Sequence, residues 1–414
     1  MAATASPART GFSDANEGSS ATGAVMSTPV LSEKLERFLA CNAIDPTGIP
    51  TPFLVVDTDI VAERYDALQT ALPVADIFYA VKANPAPELL RLVLDRGGCF
   101  DVASPNEIAA CFAVGARAHQ ISFGNTIKKR IDIQRAYDQG VRLFAFDSEQ
   151  ELDKLTEVAP GATVFCRVLC DGSGADWPLS RKFGCEPSEA TRLLLMAAER
   201  GFSVGASFHV GSQQRDVNAW DGALELVGEL AASLVEAGFR LDLVNIGGGF
   251  PGRYQDAMPP IAAYGAAITE ALHRHLGATH GDALPRILAE PGRYLVADAG
   301  VLETEVVLAA RKHEFDAKRW VYLDCGKFGG LAETMDEAIR YRIRTTHDGT
   351  ACGPVVLAGP TCDSADVLYE KSDYELPLAL REGDRVLLLS TGAYTTTYSA
   401  VGFNGFDPLR SVCI

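Results

Sequence analysis

The feature that most narrows the folds open to this chain is an alternation. From Ile77 onward, short apolar runs that read as strands take turns with longer runs of helical spacing. The strand-like runs are Ile77–Asn84, Cys99–Ser104, Ile121–Gly124, Leu143–Asp147, Val164–Cys170, Val204–Val210, Leu241–Ile246 and Arg286–Glu290. Between them lie helical patterns at Pro87–Arg96, Pro105–Val114, Lys128–Asp138, Glu149–Val158, Ser188–Arg200, Trp220–Ala237 and Ile261–Leu276. Several of these open on Asp, Ser or Pro and close on Gly, as capped helices do. Neighbouring parallel strands need a crossover of helix length, so strict alternation implies a parallel sheet. About eight such units predict an α/β fold of the closed (β/α)8 TIM-barrel kind rather than an open doubly wound sheet. The polar residues agree with closure: Lys82, Asp101, Asn125, Asp147, Arg167, His209, Gly247–Gly249 and Glu290 all fall at or just past the ends of successive strand runs. Barrel enzymes gather their reactive groups at that end.

The texture changes at both ends of the alternating region. Beyond about Asp298 the chain turns to period-two runs without intervening helices, at Val301–Leu308, Arg319–Asp324, Arg340–Thr345, Val355–Ala358 and Arg385–Ser390, which predicts a second, all-β domain of the sandwich or barrel kind. Leu31–Leu39 has helical spacing, and Phe53–Asp57 reads as a short strand that precedes the barrel and could join it. The expected division is 1–30 a disordered tail, 57–297 the barrel, and 31–56 plus 298–414 the β domain. The tail is rich in Ala, Ser, Thr and Gly; Arg9 is its only basic residue, and Asp14 and Glu17 speak against a transit peptide.

Charge and cysteine usage exclude several function classes. A formal charge of -17 argues against nucleic acid or an anionic membrane surface as partner and favours small cationic ligands. No stretch approaches the apolar length of a membrane span. The 10 cysteines show no C-x-x-C pairing, so neither a metal site nor a disulfide framework is expected, and a cytoplasmic location fits best.

Chemistry concentrates at three places. Lys82 ends the apolar run Ile77–Val81 just before Asn84-Pro85. With an apolar wall beside it the amine is expected to favour its neutral form and so to act as a Schiff-base nucleophile, although a lysine at a strand end also snorkels to water. Two loops look built for a phosphate: Gly247-Gly248-Gly249-Phe250-Pro251-Gly252 after the seventh strand run, and Glu290-Pro291-Gly292-Arg293 after the eighth, where Arg293 supplies a cation. A Schiff-base lysine facing a phosphate fits a sugar-phosphate aldolase or an enzyme carrying pyridoxal phosphate. Glu290 and His209 favour the second, because a pyridine ring needs a carboxylate at its nitrogen and a flat group against its face.

At this point the chain resembles a known family. Tyr79-Ala80-Val81-Lys82-Ala83-Asn84-Pro85, Phe100-Asp101-Val102-Ala103-Ser104, Arg181-Lys182-Phe183-Gly184, His209-Val210-Gly211-Ser212, Gly247-Gly248-Gly249-Phe250-Pro251, Glu290-Pro291-Gly292-Arg293-Tyr294, Gly359-Pro360-Thr361-Cys362-Asp363, Gly392-Ala393-Tyr394 and Phe403-Asn404-Gly405-Phe406 together look like the ornithine/lysine/diaminopimelate decarboxylases of the alanine-racemase fold type. The match runs in order from about Thr51 to Phe406.

The resemblance implies pyridoxal 5'-phosphate held covalently by Lys82, with His209 on its ring and Glu290 at the pyridine nitrogen. Racemases of the same fold place an arginine there, so the glutamate implies decarboxylation. Ser212, Gly248, Gly249, Gly292, Arg293 and Tyr394 match the phosphate site, and Asp101, Glu107 and Arg167 match positions on the cofactor side of the pocket. The family forms homodimers with shared sites, in which Cys362 would be the acid that protonates the product carbon and Asp363 the anchor for the substrate's distal ammonium. Diaminopimelate decarboxylases usually carry Glu after that cysteine. Asp363, with Asp366 nearby, therefore implies a plain terminal ammonium, hence L-ornithine, giving putrescine for polyamine biosynthesis, with L-lysine to cadaverine as a second reaction. Phe328 stands where the animal ornithine enzymes have tyrosine, and Asp336-Glu337 where they have Tyr-Asp, which leaves the second substrate carboxylate open between Asp336 and Glu337. Diaminopimelate decarboxylase and a non-catalytic regulator on the same fold are the alternatives.

Overall fold

The computed structural model describes residues 31–45, 47–177, 182–281 and 283–414. The expected tail at 1–30 and Arg181 lie outside the described residues. Eight parallel strands close into a barrel in chain order: Ala75–Ala80, Cys99–Val102, Ile121–Phe123, Leu143–Phe146, Thr163–Arg167, Ser203–Ser207, Leu243–Asn245 and Arg286–Ala289. The last pairs with the first, Leu288 opposite Asp76. The fold class expected from the alternation is the one observed.

Each strand stops short of the apolar run that announced it; Asp101 and Arg167 lie within their strands, and Lys82, Asn125, Asp147, His209 and Glu290 sit just beyond theirs. Lys82 shows this most clearly. Its strand ends at Ala80, and the lysine rides on a single 3-10 turn, Val81–Ala83, instead of terminating the strand itself. Inside the barrel Phe78, Leu143, Ala145, Phe165, Leu243 and Leu288 form a separate apolar plug. A filled interior of this kind makes the barrel a core rather than a pore and leaves its carboxyl-end face for chemistry.

Helix Thr58–Ala71 precedes the first barrel strand and was not anticipated. Asp57 caps it by accepting a hydrogen bond from the Asp59 amide at 3.1 Å, and Val61, Tyr65 and Leu68 form its buried stripe. It packs against helix Ile261–His280 at Gly265, where an added Cβ would lie 2.0 Å from the Ala71 carbonyl oxygen, so only glycine permits that approach.

Strands Ala175–Trp177 and Ser212–Gln214 pair with each other, and the remaining strands form a second sheet. Phe53–Val56 pairs antiparallel with Gly300–Ala310 and parallel with Arg410–Cys413, so it lies in this sheet and not in the barrel. Helix Glu33–Ile44 covers it, packing Leu35 and Leu39 on Phe53, Val55, Val301 and Leu389. Strands Val367–Tyr369, Glu375–Pro377 and Arg410–Cys413 escaped the sequence reading because three or four residues are too few to display a period of two. The sheet is fastened to the turn that carries Lys82: the Tyr394 amide donates to the Ala83 carbonyl at 2.8 Å, and the Asn84 side-chain amide donates to the Gly392 carbonyl at 3.0 Å.

Candidate active site

Lys82, His209, Ser212, Gly248, Gly249, Glu290, Gly292, Arg293 and Tyr394 line one cleft at the carboxyl end of the barrel. The Lys82 side chain is 52 % exposed into it, and Nζ lies 3.7 Å from Asp101 Oδ2. Burial works to neutralise this amine, but the charge of Asp101, helped by Tyr394 and Glu290, outweighs it and holds the pKa above the ordinary lysine value. This corrects the sequence expectation of a neutral amine. The carboxylates facing the lysine outweigh its burial, so the free side chain is an ammonium.

Asp101 is buried, and its Oδ1 has no hydrogen-bond partner among the described residues. It crowds Gly124, where an added Cβ would stand 2.0 Å from Oδ1. Burial pushes its pKa up against the pull of Lys82 and Arg167.

Glu290 follows the last barrel strand. Its amide donates to the Gly247 carbonyl at 2.8 Å, and the Asn245 side-chain amide donates to its Oε1 at 2.5 Å. The Asn245 oxygen in turn accepts from the Gly247 amide at 2.9 Å, so the asparagine ties the carboxylate to the glycine loop. Burial, then the Asp101 charge, push the Glu290 pKa up to about 7. A carboxyl that keeps its proton in the folded chain above the pH at which the unfolded chain releases it destabilises the fold as pH rises through that interval. In the cofactor-free protein, Glu290→Gln should therefore melt like the parent near pH 4.5 and progressively higher than the parent as pH approaches about 7, with a constant advantage above that. Titrating groups remote from Glu290 are common to both chains and cancel, Asp101 titrates together with it, and a melting difference that does not vary with pH would refute the assignment.

His209 Nδ1 accepts a hydrogen bond from the Gly211 amide at 3.0 Å. The neutral ring thus carries its proton on Nε2. Burial, with Arg167 and Lys82 nearby, holds its pKa well below the usual histidine range, so the imidazole is uncharged at neutral pH. Arg167, at the end of the fifth barrel strand, lies over the Phe183 ring at 5.4 Å. Burial lowers its pKa, opposed first by Glu290.

At the other end of the cleft Gly249 has φ +102°, a conformation that favours glycine, and an added Cβ on Gly292 would meet Ala83 at 3.0 Å and the Tyr394 hydroxyl at 3.2 Å. Arg293 is 3 % exposed; it donates to Ser212 Oγ from Nη2 at 3.1 Å and from Nε at 3.3 Å. Its guanidinium lies 5.0 Å from the Tyr394 ring centre. Glu333 and Tyr254 complete its surroundings. Burial works against the charge, and Glu333 more than offsets this, raising the Arg293 pKa.

Other residues picked out by sequence stand elsewhere. Glu107 Oε2 accepts from the Ala103 amide at 2.7 Å while Ser104 Oγ accepts from the Glu107 amide at 3.3 Å, so this carboxylate helps to cap helix Pro105–Ala113. Cys362 and Asp363 are exposed on a loop of the β domain and do not line the Lys82 cleft of their own chain. Asp366 turns inward, accepting from the Lys327 amide and the Thr361 hydroxyl, each at 2.7 Å, and so offers no free carboxylate to a ligand. Glu337 accepts from the backbone amides of Glu370, Lys371 and Ser372 and from the Ser372 hydroxyl. Asp336 is exposed beside it, and Phe328 packs on Phe403 with ring centres 4.8 Å apart.

Sequence reading overlooked Asn245 and Glu333, both buried. A polar residue ending the apolar strand Leu243–Asn245 was a visible signal for the first. Nothing local marks Glu333, whose role is defined by an arginine distant in sequence.

The residues present suit a pyridine aldehyde phosphate: an amine, a carboxylate that retains a proton near neutrality, a flat neutral ring, an unpartnered buried oxygen on Asp101, and a glycine-lined end with a fixed cation. Comparison with known proteins agrees. Residues 58–297 match the model of the pyridoxal-binding domain of the pyridoxal-dependent decarboxylases. A lysine/ornithine decarboxylase of Selenomonas ruminantium is 36 % identical over 380 residues, covering 91 % of each chain. An ornithine decarboxylase of Caenorhabditis elegans is 31 % identical over 401 residues, covering 91 % of this chain and 92 % of its own. The crystal structure of the lysine/ornithine decarboxylase of Vibrio vulnificus complexed with cadaverine superposes with a TM-score of 0.81 at 32 % identity, covering 93 % of this chain and 100 % of that one. The same protein has been crystallised with putrescine.

Proposed function

Because the chain belongs to the pyridoxal-dependent decarboxylases, we propose that it removes the α-carboxyl group of L-ornithine to give putrescine, and of L-lysine to give cadaverine, as a homodimer with shared sites in the cytoplasm. The observation that carries this reading is the convergence of Lys82, Asp101, His209 and Glu290 with Arg293 and Ser212 on one cleft. A non-catalytic relative would have no use for the complete set.

When bound, pyridoxal phosphate supplies an aldehyde that joins covalently to an amine and an electron-poor ring that accepts the electrons released as carbon dioxide departs. The chain's part is to hold and tune. Lys82 is the amine that would anchor the aldehyde and then yield its place to the substrate amine, and Asp101 beside it can take or return a proton during that exchange. Glu290, aimed by Asn245, would share a proton with the ring nitrogen, and its elevated proton affinity suits a hydrogen held between the two. His209 would cover one ring face as an uncharged plane. Ser212, Arg293 and the glycine loops would take the phosphate, and Cys362 of the second subunit would return the proton to the product carbon.

Substrate choice rests on less. Asp363 follows Cys362 directly, where a short carboxylate suits a terminal ammonium, and the Vibrio vulnificus relative has been crystallised with both diamines. Ornithine and lysine differ by one methylene, which a pocket discriminates by only about 1–3 kcal/mol. Carbon dioxide release measured side by side from L-ornithine, L-lysine, meso-diaminopimelate and L-arginine should show activity on the first two, within roughly 200-fold of each other. Faster release from diaminopimelate or arginine would sink the substrate assignment while leaving the reaction class intact.

A further inference from the structure

The guanidinium of Arg293 is fully committed within the protein. Nη1 donates to the Tyr254 hydroxyl at 2.8 Å and to Glu333 Oε2 at 2.6 Å. Nη2 donates to Glu333 Oε1 at 2.6 Å and to Ser212 Oγ at 3.1 Å, and Nε donates to Ser212 Oγ at 3.3 Å. Arginine has five N–H groups, and these five contacts use them all. They are unequal. Glu333 grips the two-nitrogen end through a pair of short charge-assisted bonds, while a single hydroxyl shares the Nε–Nη2 edge through two long ones.

We propose that Glu333 is a positioning residue for the cofactor phosphate: it clamps Arg293 by its far end, so that the Nε–Nη2 edge, together with Ser212, is the face offered to the ligand. This rests on the reading of Arg293 and Ser212 as the phosphate site. The Ser212 oxygen can keep accepting from the guanidinium while its own hydrogen turns to the phosphate, since a hydroxyl does both. The weakly held edge is then the one that rearranges at least cost. Both members of the ion pair are buried, Arg293 at 3 % and Glu333 at 7 % exposure, so the clamp is not loosened by water.

A simple charge argument gives the opposite sign. A carboxylate close to a phosphate dianion repels it, and removing that carboxylate would tighten binding. Positioning and repulsion are therefore separable by experiment. The affinity of the full chain for pyridoxal 5'-phosphate and for pyridoxal, which lacks the phosphate, is measured by titrating the imine absorbance of the cofactor-free protein. Glu333→Gln should weaken pyridoxal phosphate by about tenfold or more, the size of one mis-aimed charge-assisted hydrogen bond, and leave pyridoxal unchanged. Glu333→Asp, which keeps the charge, should recover part of the loss. Tighter phosphate binding in Glu333→Gln would establish repulsion and overturn the proposal. Equal weakening of both aldehydes would mean general damage and overturn it as well. Arg293→Gln separates the layers of the argument. If it loses pyridoxal phosphate selectively while Glu333→Gln does not, the clamp is refuted and the phosphate site stands; if it loses neither, both fall.

Discussion

A chain carrying Lys82→Ala and a chain carrying Cys362→Ala should each be nearly inactive, yet an equal mixture of the two, unfolded and refolded together, should regain about one quarter of the parent activity. The arithmetic follows from the proposed twofold dimer, whose sites would be built across its interface. Random pairing makes half of the dimers mixed. In each mixed dimer one site receives both defects and the other neither. The Lys82→Ala chain should also fail to show the imine absorbance of the bound cofactor, whereas the Cys362→Ala chain should retain it, since Cys362 lies outside the cleft of its own chain. No recovery in verified mixed dimers would place Cys362 outside the catalytic site. Retained absorbance in Lys82→Ala would remove the lysine from the chemistry.

Glu290→Gln should lower decarboxylation by about 10²–10³-fold, the range found when one preorganised electrostatic contact is removed from a reacting centre. Cofactor retention should change far less. The reason is geometric: on the proposed reading Lys82 would hold the cofactor covalently and Arg293 would hold its phosphate, whereas Glu290 would meet only the ring nitrogen, aimed by its hydrogen bond from Asn245. Glutamine fits the same space and keeps an oxygen for that hydrogen bond, but it cannot carry the charge that keeps a ring nitrogen protonated. Cofactor loss in step with activity loss would reduce Glu290 to a structural role. The size of the effect also separates this residue from its support, since Asn245→Ala should move activity in the same direction by less, leaving the carboxylate present but poorly aimed.

The barrel was legible because helix and strand periods differ and because each crossover is long enough to show its own period. The eight strand runs in Ile77–Glu290 and the eight observed strands correspond one to one. Their ends were less legible. Val81 is as apolar as the residues before it, yet the chain turns at Val81–Ala83, where the Ala83 carbonyl accepts from the Tyr394 amide at 2.8 Å. A strand boundary determined by a partner more than two hundred residues away leaves no local mark. The electrostatic state of Lys82 was misread for a similar cause, because Asp101 and Glu290 reach it from other strands. Among the site residues, Lys82, His209 and Glu290 were found by their place past strand ends, whereas Asn245, although it ends a strand, and Glu333 act through a neighbour and were found from contacts. Asp366 shows the reverse: its place in the loop suggested a ligand, and its three inward hydrogen bonds make it a turn-builder.

The two backbone ties between the second sheet and the turn bearing Lys82, from Tyr394 to Ala83 and from Asn84 to Gly392, carry a consequence for modularity. Residues 58–297, matched as a unit, lack Tyr394 and Glu333 and lose both fastenings of the reactive turn when cut free. An excised barrel, even one that folds, should be unable to keep its amine in register with Arg293. The reactive half of this enzyme is thus not a portable cassette: any fusion or truncation that keeps the chemistry must carry the distal sheet with it.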